Sequence, residues 1–172
     1  MAADHHVATV IDPKSRIASA ILGVYFRSPS MVQARRHSTR QEGAIAEQFI
    51  GQHLQELLAE SPNRELTYWL REGRSSNAEV DFVMAFEGQI VPIEVKAGGR
   101  GSLRSLHQFV GERHAPLAVR FDSNPPSMQT VSATIQSDSR AVDVKYRLLS
   151  LPLYLVEKVA DVVRDLPSSS VS

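Results

Sequence analysis

Two short apolar runs joined by Glu87-Gly88 constrain this chain more than any other feature. Residues 79–86 and 90–97 are rich in β-branched and aromatic side chains, and the Glu-Gly pair between them suits a tight hairpin. Alternation in the first run predicts Val80, Phe82, Met84 and Phe86 on one side and Glu79, Asp81, Val83 and Ala85 on the other. In the second, Val91, Ile93, Val95 and Ala97 form the apolar side, and Ile90, Pro92, Glu94 and Lys96 face opposite. An even-numbered loop sets Asp81 directly across from Glu94 on one face; an odd loop separates them. Side chains opposed in this way start only ~5 Å apart, and like charges there destabilise a sheet. Two facing carboxylates need a cation, a shared proton or a raised pKa. Lys96 can neutralise one of them; a divalent metal would neutralise both.

The rest of the composition sets few limits. At 172 residues, 42% hydrophobic and 22% charged, the chain suits one soluble domain with a real core and modest extensions. No apolar run approaches the ~20 residues that cross a bilayer, and Met1 to His6 do not open a secretory signal. The expectation is a cytoplasmic protein without a membrane partner. With no cysteine, disulfides, zinc-thiolate sites and thiol nucleophiles are excluded. The net charge of zero offers nucleic acid no strong overall field, so any such contact must be local.

Periodicity supplies the order of elements. Thr39 and Glu42 have capping-box form, and Ala46, Phe49, Ile50, His53 and Leu57 recur at helical spacing, so a helix is predicted from Thr39 to about Glu60. Leu66–Arg71 reads as a strand, 73–77 as a loop, 98–101 as a glycine-rich break, Leu103–Glu112 as a helix and Pro116–Phe121 as a buried strand. Segments 129–135 and 143–149 form a second hairpin around Ser137-Asp138, and Leu153–Leu166 is predicted as one closing amphipathic helix. Arg16–Leu22 reads as a short helix. The division is an extension over 1–40, a domain over 41–166 and a disordered serine-rich tail over 167–172. The order argues for an α/β fold with a mixed central sheet flanked by helices.

An acid, then an acid, one residue and a lysine on neighbouring strands after a helix resembles the active-site pattern of the PD-(D/E)XK, restriction-endonuclease-like superfamily. Several separated blocks carry a closer likeness: Gly43–Phe49, Tyr68–Arg71, Asn77–Phe82, Val91–Gly98, Ser105–Phe109 and Leu151–Tyr154. Together they resemble the C-terminal domain of unknown function of bacterial and archaeal AAA-type ATPases, over roughly residues 41–160. Such ATPases carry a nucleotide-binding module ahead of this domain. This chain has no Gly-x-x-x-x-Gly-Lys-Ser/Thr and therefore no ATP site of that kind. The expectation is a detached C-terminal half, with 1–40 as a junction remnant and a separately encoded ATPase module as a partner.

The superfamily resemblance implies a Mg²⁺ (or Mn²⁺) site in which Asp81 and Glu94 are direct ligands, Lys96 is catalytic, and Glu47 is an auxiliary acid binding the metal directly or through water. Mg²⁺ suits that set, since it takes oxygen ligands and keeps several waters. Gly51, one turn beyond Glu47, would permit close approach to the sheet. Arg71, Arg74, Arg100 and Arg104 flank these strands and are the candidate contacts to DNA or another nucleic acid. Each assignment has a structural rival. The acid–lysine set also suits a salt-bridge cluster at a sheet end, and Glu47 a solvated helix flank. His107 and Gln108 read as helix-surface residues, Trp69 as packing, and His5-His6 as tail. Two functions follow: a metal-dependent nucleic-acid phosphodiesterase, or the same fold as a catalytically silent binding module or fragment of a larger ATPase.

Overall fold

The computed structural model describes residues 7–9, 39–59, 66–71, 78–86, 88–97, 102–137 and 140–167. In chain order the elements are β1 (Val7–Thr9), α1 (Thr39–Ala59), β2 (Thr67–Arg71), β3 (Ala78–Phe86), β4 (Gln89–Lys96), α2 (Arg104–Arg113), β5 (Leu117–Asp122), β6 (Ser127–Ser137) and β7 (Arg140–Pro152). A 3₁₀ segment (Leu153–Lys158) and α3 (Val159–Arg164) close the chain. The strands form one mixed sheet in the order β1-β6-β7-β5-β4-β3-β2. β2, β3 and β4 are an antiparallel meander. α2 then carries the chain across the sheet, so that β5 lies parallel to β4 and β7 parallel to β5. β6 and β7 form the second hairpin, longer than its sequence pattern suggested, and the three-residue β1 pairs with the free side of β6.

The β3–β4 loop is the even one. Phe86 lies opposite Gln89 and Phe82 opposite Ile93, and Gly88 supplies a left-handed φ of +77° at no steric cost. The helix from Thr39 is present, burying Ala46, Ile50, Leu54 and Leu58 on a single stripe. Gly51 touches the sheet as expected: a Cβ at this position would come within 3.0 Å of the Phe82 ring.

Hydrophobic burial divides between the two faces of the sheet. On one, α1 and the C-terminal segment cover Ile93, Val95, Val119, Phe121, Leu149 and Leu151. On the other, Leu106, Phe109 and Val110 of α2 pack on Val80, Ala118, Val131, Tyr146 and Leu148. Trp69 joins the second face edge-on to Phe109, with ring centroids 5.5 Å apart, and is a packing residue as read from the sequence.

Two expectations need correction. Strict alternation put Val80 on the same side as Met84 and Phe86, yet Val80 packs under α2 while those two pack under α1. The reason is a bulge: Trp69 pairs with Val80 but Thr67 pairs with Val83, so β3 carries one extra residue at Asp81-Phe82. The closing helix is also not one α-helix, because its first half is 3₁₀. Leu155 and Val156 are buried from the 3₁₀ segment, and Val159 and Val162 from α3. The expected helix at 16–22, the loops at 73–77 and 98–101, His5-His6 and the tail from 168 lie outside the described residues. Among the described residues, no helix is long and apolar enough to cross a membrane.

Candidate functional site

The β3–β4 ladder runs inward from the hairpin and stops at Phe82–Ile93. Asp81 and Glu94, next in register, are not backbone-paired. Instead the Val95 N–H donates to Asp81 Oδ2 at 2.7 Å, so a side-chain carboxylate stands where a strand would supply an acceptor. The bulge at Asp81 accounts for this, since an extra residue breaks the pleat and re-aims the side chain beside it. Glu94 is held at the other side of the gap because β4 now pairs with β5, with Glu94 next to Arg120 and Lys96 next to Asp122. Lys96 Nζ forms an ion pair with Glu94 Oε1. Glu94 is only 4% exposed, and its second oxygen, Oε2, is buried without a hydrogen-bond partner.

These groups act on one another. Burial, and then the neighbouring Asp81 carboxylate, push the Glu94 carboxyl up to about 7, against the pull of Lys96. Burial likewise raises Asp81, opposed by the Val95 hydrogen bond and by Lys96. Burial works against the Lys96 ammonium, but the Glu94 hydrogen bond and the fields of Glu94, Asp81 and Glu47 outweigh it and hold the amine above its usual range. Glu47 on α1 is exposed, yet partial burial followed by the Asp81 charge raises it too, which places its carboxylate within electrostatic reach of the cluster. Asp81, Glu94 and Lys96 therefore stand together, with exposed Glu47 on α1 feeling their charges.

A cleft of about 660 Å³ opens over the set. Its β3–β4 wall is Glu79, Asp81, Glu94 and Lys96, and its other wall is the start of α2, namely Ser102, Arg104 and Ser105. Arg104 is thus the one described arginine of the expected four that lines the site. Arg71 is engaged elsewhere: its guanidinium donates to Gln108 Oε1 at 2.7 Å and pairs with Glu112 at 3.0 Å, tying β2 to α2. Gln108 is accordingly buried, not the surface residue expected. Arg74 and Arg100 lie outside the described residues.

A family model matches residues 42–132, from the first turn of α1 into β6, just over half of the chain. The chain belongs to the family described as Domain of unknown function (DUF4143). The DUF4143 match contains Glu47, Asp81, Glu94, Lys96 and Arg104, whereas β7 and the C-terminal segment lie beyond it. No curated protein and no solved structure matches the chain.

Sequence reasoning missed Ser102 and Ser105 in this DUF4143 site. Ser102 Oγ accepts the Arg104 N–H at 3.1 Å, and Ser105 Oγ accepts the Glu79 N–H at 3.3 Å, which links the helix start to β3. A serine directly ahead of Leu103, Leu106, Phe109 and Val110, which recur at helical spacing, was the available signal, since that residue type favours helix starts.

Oxygen donors of this kind suit a hard cation. Glu94 Oε2 is a buried acceptor without a donor, and Asp81 presents a second carboxylate in the same cleft. Among the described residues, no group of three or more His, Asp or Glu side chains is arranged to hold a metal ion. Of the three acids expected as ligands, Asp81 and Glu94 line the cleft and Glu47 is not among its lining residues.

Proposed function

We propose that this domain has a restriction-endonuclease-like, PD-(D/E)XK-type core and hydrolyses phosphodiester bonds in nucleic acid with a divalent cation. The observation that carries the reading is the opposed pair Asp81 and Glu94 beside Lys96, at the point where the β3–β4 ladder ends. The order of helix, three antiparallel strands, crossover helix and parallel strand supports the same core. A bound Mg²⁺ or Mn²⁺ would neutralise the facing carboxylates and acidify a coordinated water. Asp81, fixed by the Val95 N–H, and Glu94, through Oε2, would hold that ion. Lys96 would orient the attacking water and stabilise charge developing on the phosphoryl oxygens. Glu47 would order water at the α1 side. The resemblance to AAA-type ATPase C-terminal domains extends the proposal to a separately encoded ATPase module as partner.

The test is incubation with plasmid DNA and with RNA in Mg²⁺ or Mn²⁺, beside Asp81→Ala and Lys96→Ala. Cleavage by the wild type that falls at least a hundredfold in both variants is the expected result. Equal rates in all three would overturn the enzymatic reading. The closed Lys96–Glu94 ion pair and the net charge of zero favour a second reading, a silent binding module in which lysine already does the work of the cation. Thermal stabilisation by Mn²⁺ that vanishes in Asp81→Ala separates the two, because only a real metal site shows it.

A further inference from the structure

The two walls of the cleft differ in chemistry. The β3–β4 wall is acidic, and its lysine is already paired with Glu94. The α2 wall carries an exposed guanidinium, Arg104, which makes no ion pair among the described residues, between two hydroxyls. Ser102 and Ser105 each accept a backbone N–H, which pins the oxygen and leaves the O–H to donate. A ten-residue helix starts at this point, adding partial positive charge. A second, independent feature marks the opposite wall: Glu94 Oε2, in a side chain 4% exposed, has no partner. A cation held by one or two carboxylates takes its remaining ligands from water or a phosphate, and Arg104 with the two hydroxyls stands on the facing wall to grip such a phosphate. Among the described residues, those lining the cleft are all charged or hydroxylic, and none of them offers a face on which a base can stack.

We infer that the first turn of α2 is a seat for one backbone phosphate. Arg104, Ser102 and Ser105 bind its non-bridging oxygens, and the site reads the sugar–phosphate chain without reading bases. This rests on the hydrolase reading for the bond to be cut, but the seat itself needs no cleavage. Arginine suits the role because its planar fork grips two phosphate oxygens at once.

The experiment is fluorescence anisotropy on the full chain with a labelled thymidine decamer and a matched decamer of abasic residues. Both are titrated in EDTA and in Ca²⁺ at several salt concentrations. The expected result is that both oligonucleotides bind within threefold of each other. Arg104→Gln should weaken both by about tenfold and lower the slope of log affinity against log salt by about 0.7, one phosphate contact on a single strand. Ser105→Ala should weaken both by a smaller factor, and Arg104→Lys should recover part of the loss. Equal affinity of Arg104→Gln and wild type, a tenfold preference for the decamer with bases, or no measurable binding by the wild type would each overturn the seat. Melting temperatures within a degree of wild type exclude misfolding as the cause, since Arg104 is exposed. Cleavage assays keep the two readings apart. Binding that depends on Arg104 without any cleavage leaves the seat standing and the hydrolase fallen. Cleavage with an unchanged KM in Arg104→Gln does the reverse.

Discussion

The α1 face of the sheet is apolar from Leu54 through Ile93 to Leu151, whereas Glu94, Gln108, Asp122 and Ser150, the buried polar residues among those described, all belong to the α2 side. One chain segment thus faces two environments: Ile93 and Val95 enter the α1 core while Glu94, between them, turns to the cleft. The contrast has an energetic meaning. Apolar burial stabilises in proportion to area, but buried polar groups stabilise only when paired and cost free energy when they are not. On the α2 side the pairing is explicit, with Arg120 on Asp122 at 2.9 Å and Arg71 on Gln108 at 2.7 Å. Glu94 Oε2 and Ser150 Oγ have no hydrogen-bond partner, and of the two residues only Glu94 lines the cleft. That open acceptor beside a second acid is the feature on which the proposed cation site rests.

The sharpest challenge to this division is a cavity on the α1 face. Leu54→Ala, at a fully buried position, should cost about 2–5 kcal/mol in urea unfolding. A loss below about 1 kcal/mol would mean that this face does not carry the stability. Next in size is Arg71→Ala, which strips a donor from buried Gln108 and should cost about 1–3 kcal/mol. Oligonucleotide affinity should be unchanged. Weaker binding with unchanged stability would instead return Arg71 to the nucleic-acid surface.

A pH series sharpens the comparison at Glu94 itself. Its carboxyl stands at about 7 in the folded protein against an ordinary 4.5. A carboxyl raised by folding binds its proton more tightly in the native state, so its contribution is full below about pH 4.5 and is lost as pH rises toward 7. Wild type should therefore lose stability relative to Glu94→Gln over that window, by at most about 1.4 kcal/mol per pH unit. The opposite slope would show that the Lys96 pair dominates and that the acid is favoured ionised. The smallest effect is expected where charge is solvated. Lys158 and Arg164 both reach Asp161 from exposed positions, at 3.8 and 3.1 Å. Replacing either by alanine should change stability by no more than about 0.5 kcal/mol.

The legible parts of the molecule were those governed by local rules. The helix at Thr39 and the Glu87-Gly88 hairpin followed from capping and turn chemistry, but alternation left the register open, and the pairing of Phe86 with Gln89 decided the opposition of Asp81 and Glu94. Gln108 was misread because a polar residue on a helix looks solvated until its partner is known, and that partner, Arg71, lies 37 residues away. The bulge was invisible for a related reason: it is a mismatch between β2 and β3, and neither strand shows it alone. Ser102 and Ser105 gained significance only from the strands that α2 faces.

By itself the amino-acid sequence determined where the helix at Thr39 and the β3–β4 hairpin lie and that Glu94 and Lys96 share one side of their strand, because backbone geometry repeats over two to four residues. Only the tertiary structure decided how those groups are aimed. The β3 bulge turns Asp81 onto the Val95 N–H, the switch of β4 from β3 to β5 opens the gap, and the crossover brings the start of α2 over it. Each depends on pairing between segments far apart in the chain, where the energy of a contact is set by the partner and not by the residue.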